Sequence, residues 1–145
     1  MKLIIEQSPE HTEVELTIKC ADIDERLERL IAQIRLHSFS ITGKKDGSSY
    51  PVRLEDVYYF ESIDNKTFIC TEQDVFECGY KLYELEEHLA ESDFVRISKA
   101  CILNFSKLAS VRALLNAKFE AKLSNGEKLI INRHYVRGLK EKLTF

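Results

Sequence analysis

The stretch Phe94-Val95-Arg96-Ile97-Ser98-Lys99-Ala100-Cys101-Ile102-Leu103-Asn104 places two short apolar runs on either side of a polar Ser98-Lys99 pair. Residues 94–97 and 101–103 read as strands joined by a tight connection. Phe94, Ile97, Ile102 and Leu103 are core positions in this reading. Arg96 is a charge inside an apolar strand, so it serves either a structural ion pair or a contact to a polyanion. Asn104 suits a strand end or a turn better than a surface contact.

The flanking sequence has the same texture. Short strand-like runs span 49–53, 57–63, 67–70, 75–78 and 111–115, separated by polar turns at 44–48, 64–66 and 72–74. Leu82, Leu85 and Leu89 share one face of a short helix at about 80–90. Residues 118–123 alternate cleanly, Ser124-Asn125-Gly126-Glu127 supplies an Asn-Gly turn, and Lys128-Leu129-Ile130-Ile131 returns. A last helix at about 133–142 carries Val136, Leu139 and Leu143 on one side, with Asn132 as its cap. Tight hairpins and alternation imply antiparallel pairing.

Upstream, residues 3–7 and 12–19 read as two strands of a hairpin around a turn at Ser8-Pro9-Glu10-His11. A helix follows at 22–36, capped by Asp22 with Glu25 three residues on. Its stripe of Ile23, Leu27, Leu30, Ile31 and Ile34 is expected to pack on that hairpin, or in part on a second copy of the chain. The chain therefore divides near residue 43. A β-β-α extension (1–43) is followed by a β-rich domain (44–145). The fold class is mainly β, α+β overall.

The 145 residues suit one domain with a short appendage. Two prolines and five glycines exclude collagen-like and low-complexity classes. A formal charge of −3 speaks against nucleic acid, but the mean conceals its distribution. Residues 1–95 hold 10 Lys+Arg and 21 Asp+Glu, a net −11; residues 96–145 hold 11 and 3, a net +8. Such a basic block is an electrostatic footprint suited to phosphates. Cys20, Cys70, Cys78 and Cys101 form no metal-binding spacing and read as small buried hydrophobes. The N-terminus has no signal-peptide apolar run, and no stretch is apolar enough to span a membrane, so a reduced, cytoplasmic protein is expected. No catalytic set, cofactor motif or metal cluster is evident: His11, His37, His88 and His134 are scattered.

Four blocks together resemble the LytTR family of bacterial DNA-binding domains. The 94–104 stretch is similar to the family signature, Phe-x-Arg-apolar-polar-(Arg, Lys or Asn)-small-apolar-apolar-apolar-Asn. Leu54-Glu55-Asp56-Val57-Tyr58-Tyr59-Phe60-Glu61-Ser62 resembles an upstream strand, and Lys81 to Leu89 the short central helix. Leu123 to Tyr135 resembles the closing hairpin and its "Ser-Arg-x-Tyr" block, with Asn132 in place of Ser. The resemblance covers residues 40–145. It implies stacked short antiparallel sheets without a helix-turn-helix, and loops that enter successive major grooves.

The same resemblance implies the site. Lys66 and Thr67, in the loop after the 57–63 strand, Lys99 in the signature and Arg133 at the start of the last helix would touch bases. Asn65, Ser98, Asn132, Arg137 and Lys140 would contact the DNA backbone. Lys99 suits a guanine edge or a phosphate. Only about 40 residues precede the domain, too few for a phosphoacceptor receiver domain, so the architecture resembles stand-alone regulators. Some of these are held by a membrane-bound inhibitor, so the extension (1–43) is a candidate element for dimerisation or for docking such an inhibitor. The expected protein is a sequence-specific, homodimeric transcription regulator binding double-stranded DNA, with no enzymatic role. The alternative is a protein-interaction or sequestration module without DNA binding, working through its acidic part.

Overall fold

The computed structural model describes residues 1–143. Helix α1 (Glu25–Ser38) precedes strands β1 (Ile41–Lys45), β2 (Ser48–Val52), β3 (Val57–Ile63), β4 (Lys66–Thr71) and β5 (Val75–Cys78). Helix α2 (Leu82–His88) leads into β6 (Phe94–Ser98), β7 (Cys101–Asn104) and β8 (Leu108–Ala113). Strands β9 (Phe119–Leu123) and β10 (Lys128–Ile131) and helix α3 (Arg133–Leu143) complete the described chain. Seven strands form one antiparallel sheet in the order β2-β1-β5-β4-β3-β7-β6, and three form a second in the order β10-β9-β8. The expected mainly β, α+β architecture of stacked antiparallel sheets and short helices is therefore present.

The large sheet has a core on each face. One contains Val57, Phe60, Ile69, Phe94 and Ile102 with Leu82, Leu85 and Leu89 of α2. The other contains Tyr58, Val95, Ile97 and Leu103 with Ala121, Leu123 and Ile131 of the small sheet and Leu139 of α3. Buried on both faces, β7 reads as an unbroken apolar run, Cys101-Ile102-Leu103, instead of an alternating one.

The N-terminal expectations need correction. Residues 3–7 and 12–19 form no strands. The turn between them does form, with the His11 N–H donating to the Ser8 carbonyl at 3.1 Å, but the flanking segments do not pair. Alternation specifies a face, not a partner, and an isolated two-stranded hairpin is marginal without a surface to cover it. The cap of α1 is Asp24, not Asp22: its carboxylate accepts the Leu27 N–H at 2.8 Å. This contact requires a residue directly before the first turn. With no hairpin beneath it, α1 contains no fully buried residue, and its Leu36 and the following Phe39 pack on the α2 side of the sheet. The large sheet also begins earlier than expected, at Ile41. Cys70, Cys78 and Cys101 are buried, whereas Cys20 is exposed, contrary to the expectation for all four.

Candidate nucleic-acid interface

Three connections meet at one end of the large sheet. The first is the β3–β4 turn. Asp64 and Asn65 have φ of 51° and 63°, and Ile63 faces Lys66 across the pair. Two central residues at positive φ make a type I′ turn, whose twist matches that of the strands. The turn presents Lys66 on the surface.

The second is the β6–β7 turn. Ser98 pairs with Cys101, leaving Lys99 and Ala100 at the tip, both exposed and neither at positive φ. A tight hairpin without primed-turn geometry tends to splay its strands. Two features compensate. The register shifts between Arg96 and Ser98, a bulge at Ile97. The Arg96 guanidinium then folds along the turn: Nε donates to the Ser98 carbonyl at 2.7 Å and an Nη to the Lys99 carbonyl at 2.5 Å. Glu86 lies 3.8 Å from the other Nη. Of the two roles expected for Arg96, the structure shows the intramolecular one.

The third is the entry to α3. The bulge leaves the Ile97 carbonyl free of β7, and it accepts the Asn132 N–H at 2.9 Å. Arg133, the next residue and the first of α3, is exposed. On the other side of the same turn, the Ala100 carbonyl accepts the Ser62 N–H from β3 at 2.8 Å. Two main-chain bonds thus tie the β6–β7 turn to the end of β3 and to the start of α3. Lys66, Lys99 and Arg133 sit on these three adjoining pieces, and among the described residues none of these three side chains makes an ion pair or a hydrogen bond.

The remaining site residues divide. Thr67 is buried at 2 % exposure, between Ser62 on β3 and Cys78 on β5. Adjacent residues of a strand point to opposite faces, so Lys66 outward sends Thr67 inward. Its side chain is therefore withdrawn from any groove. Asn65 is exposed, and its carbonyl accepts Lys81 Nζ at 2.7 Å. The half-buried Ser98 hydroxyl accepts the Ala100 N–H at 3.2 Å. Asn132 is half-buried, and its carbonyl accepts the Tyr135 N–H at 2.8 Å. Arg137 is exposed and pairs with Glu141 at 3.3 Å. Lys140 is exposed, its Nζ 5.5 Å from the Phe119 ring centre.

Two residues adjoin this candidate site that sequence reasoning assigned otherwise or missed. Arg96 supports the turn that carries Lys99. Lys81, exposed at the start of α2, adds a cation beside the β3–β4 turn. The pairing of Thr67 with Cys78 brings residues 79–81 alongside 64–66, which is legible only once the strand register is known. Asn104 is structural: Nδ2 donates to the Val57 carbonyl at 2.8 Å, and Oδ1 accepts the Ser106 N–H and hydroxyl at 3.1 and 2.7 Å.

Burial raises the thiol pKa of Cys70 to about 11 and pushes those of Cys78 and Cys101 upward. These thiols are protonated at neutral pH and act as packing groups. Among the described residues no group of His, Cys, Asp or Glu is arranged to hold a metal, and no helix is long and apolar enough to cross a membrane. Nor are any two helices joined by the short turn of a helix-turn-helix.

The family profile of the LytTr DNA-binding domain matches residues 47–144. The sensory transduction protein LytT of Enterococcus faecalis is 30% identical over 94 residues, covering 65% of this chain and 39% of that protein. The LytT protein of Bacillus anthracis is 23% identical over 143 residues, 99% of this chain and 54% of its own length. The chain thus spans about half the length, or less, of these two relatives. An uncharacterised HTH-type transcriptional regulator of Staphylococcus aureus is 25% identical over 146 residues, with 99% of both chains covered. Among solved structures, a LytTr DNA-binding domain from Bacillus cereus superposes with a TM-score of 0.70 at 26% identity, covering 74% of this chain and all of that one. Signature, fold and profile agree, and the chain belongs to the LytTr DNA-binding domain family.

Proposed function

We propose that this protein is a sequence-specific, homodimeric bacterial transcription regulator that acts in the cytoplasm. In this reading it inserts its β3–β4 turn, its β6–β7 turn and the start of α3 into successive major grooves. The observation that carries the proposal is the convergence of Lys66, Lys99 and Arg133, whose side chains are exposed and without a partner among the described residues, through the main-chain bonds of Ala100 and Ile97. Exposed cations with no side-chain partner among the described residues keep their donors for base edges and phosphates. Lys81 and Arg137 extend the basic surface, and Asn65, Ser98, Asn132 and Lys140 border it. Thr67 leaves the set because it is buried. The family is one of DNA-binding domains and not of enzymes.

Selection of bound duplexes from random DNA tests this directly. It is expected to return a defined motif, and binding to that motif should weaken steeply with salt, log K falling by about 0.9 per phosphate neutralised. Arg133→Ala is expected to cost roughly 1–3 kcal/mol and to relax preference at one base pair. Recovery of no enriched sequence at low salt would refute the proposal. Equal weakening on every sequence would make Arg133 a phosphate contact instead.

A further inference from the structure

Residues 1–23 form no helix or strand, yet they have the pattern of one side of a sheet. Leu3, Ile4, Ile5, Val14, Leu16, Ile18 and Ile23 are exposed, Val14 at 91 % and Leu16 at 66 %. Among the described residues, the one backbone hydrogen bond inside this segment is the turn contact of His11 with Ser8. Thr12-Glu13-Val14-Glu15-Leu16-Thr17-Ile18-Lys19 therefore presents unpaired main-chain groups and one continuous apolar face. Such an edge is a template for strand addition.

Its sequence indicates the partner. In an antiparallel pair, residues directly opposite share a face, so a two-fold symmetric pairing of this strand with itself must set even positions against even ones. Centred on Leu16, the pairing places Leu16 on its own copy, Val14 opposite Ile18, and Glu13 opposite Lys19. All three apolar residues meet apolar residues, and the charged pair is complementary on the other face. Centred on Glu15, two carboxylates would oppose each other. Centred on Thr17, Leu16 would face Ile18 and Glu15 would face Lys19, but Val14 would face Cys20 and Glu13 would face Ala21. Of the three, the Leu16-centred register alone sets Val14, Leu16 and Ile18 wholly against one another and gives Glu13 a cation opposite it.

We infer that residues 12–19 pair antiparallel with the same segment of a second copy of this chain, with Leu16 on the two-fold axis. This rests on the homodimer reading above and specifies its contact. The strand pair joins the two copies through symmetric contacts.

Sedimentation of the full chain without DNA tests the pairing independently of DNA binding, which is scored separately by gel shift. The chain should sediment as a dimer. Glu13→Lys and Lys19→Glu should each raise the dissociation constant roughly tenfold, since each alters two symmetry-related pairs, and the double exchange should restore association. Leu16→Cys, in a Cys20→Ser background, should form an intermolecular disulfide under mild oxidation, because opposed strand residues lie within disulfide reach. All these residues are exposed, so each variant should retain the wild-type thermal transition. A chain that stays monomeric at tens of micromolar would overturn the inference. So would a double exchange no better than the single variants, failure of Leu16→Cys to cross-link, or stable capture of the segment by a membrane protein in place of a second copy.

Discussion

Arg96 illustrates how one residue links packing to the proposed recognition surface. It lies in a strand whose neighbours are buried, and its guanidinium satisfies two carbonyls of a turn whose geometry does not close a hairpin unaided. Hydrogen bonds to charged groups contribute about 1.5–3 kcal/mol. Arg96→Ala is therefore expected to lower unfolding stability by roughly that amount in urea titration. It should also accelerate amide exchange at Lys99 and Ala100, and weaken binding to the selected motif more than to random duplex. A variant as stable as wild type, with unchanged preference for the motif, would show that the turn holds itself. The signature identified this position from sequence, and two roles stood open there. The choice between them needed the bulge at Ile97, which no residue pattern announces. Thr67 shows the converse: a motif places two adjacent residues near a surface, but strand geometry lets only one of them face it.

Most elements were legible because each carries its own periodicity. Strand β3 and helices α2 and α3 lie where the apolar spacing places them, and the β9–β10 hairpin follows from Asn-Gly. Strand β1 was not legible, because Ile41-Thr42-Gly43-Lys44-Lys45 offers one apolar side chain where alternation needs two or three. The missing one is supplied from outside. A Cβ at Gly43 would stand 2.5 Å from Phe76 Cβ and 2.7 Å from its Cγ, so the Phe76 side chain occupies the place of a residue 43 side chain. Gly43→Ala is accordingly expected to destabilise by about 1–3 kcal/mol through overpacking, read as a lowered urea midpoint with an unchanged slope. A stabilised variant would mean that the ring moves aside freely. The N-terminal strands failed for a different reason: residues 12–19 do alternate, but no complement to their apolar face lies among the described residues.

At the scale of the molecule, the net charge of −3 averages an acidic first part and a basic last third. The fold resolves the conflict this poses for Lys66, which belongs to the acidic part. Hydrogen bonds at Ala100 and Ile97 bring the end of β3 and the start of α3 to the turn of Lys99, joining residues 66, 99 and 133 of the sequence. Specificity should therefore reside in these three side chains acting from one end of the sheet, while affinity is shared with the wider basic surface. The most direct measurement is the ratio of affinities for the selected duplex and a scrambled duplex, in wild type and in the Lys66→Ala/Lys99→Ala/Arg133→Ala variant at equal salt. The ratio should collapse by at least about a hundredfold, since each lost base contact is worth roughly 1–3 kcal/mol of discrimination. Weaker binding to the scrambled duplex should persist at low salt. An unchanged ratio in a folded triple variant would contradict the assignment of this surface as the one that reads DNA.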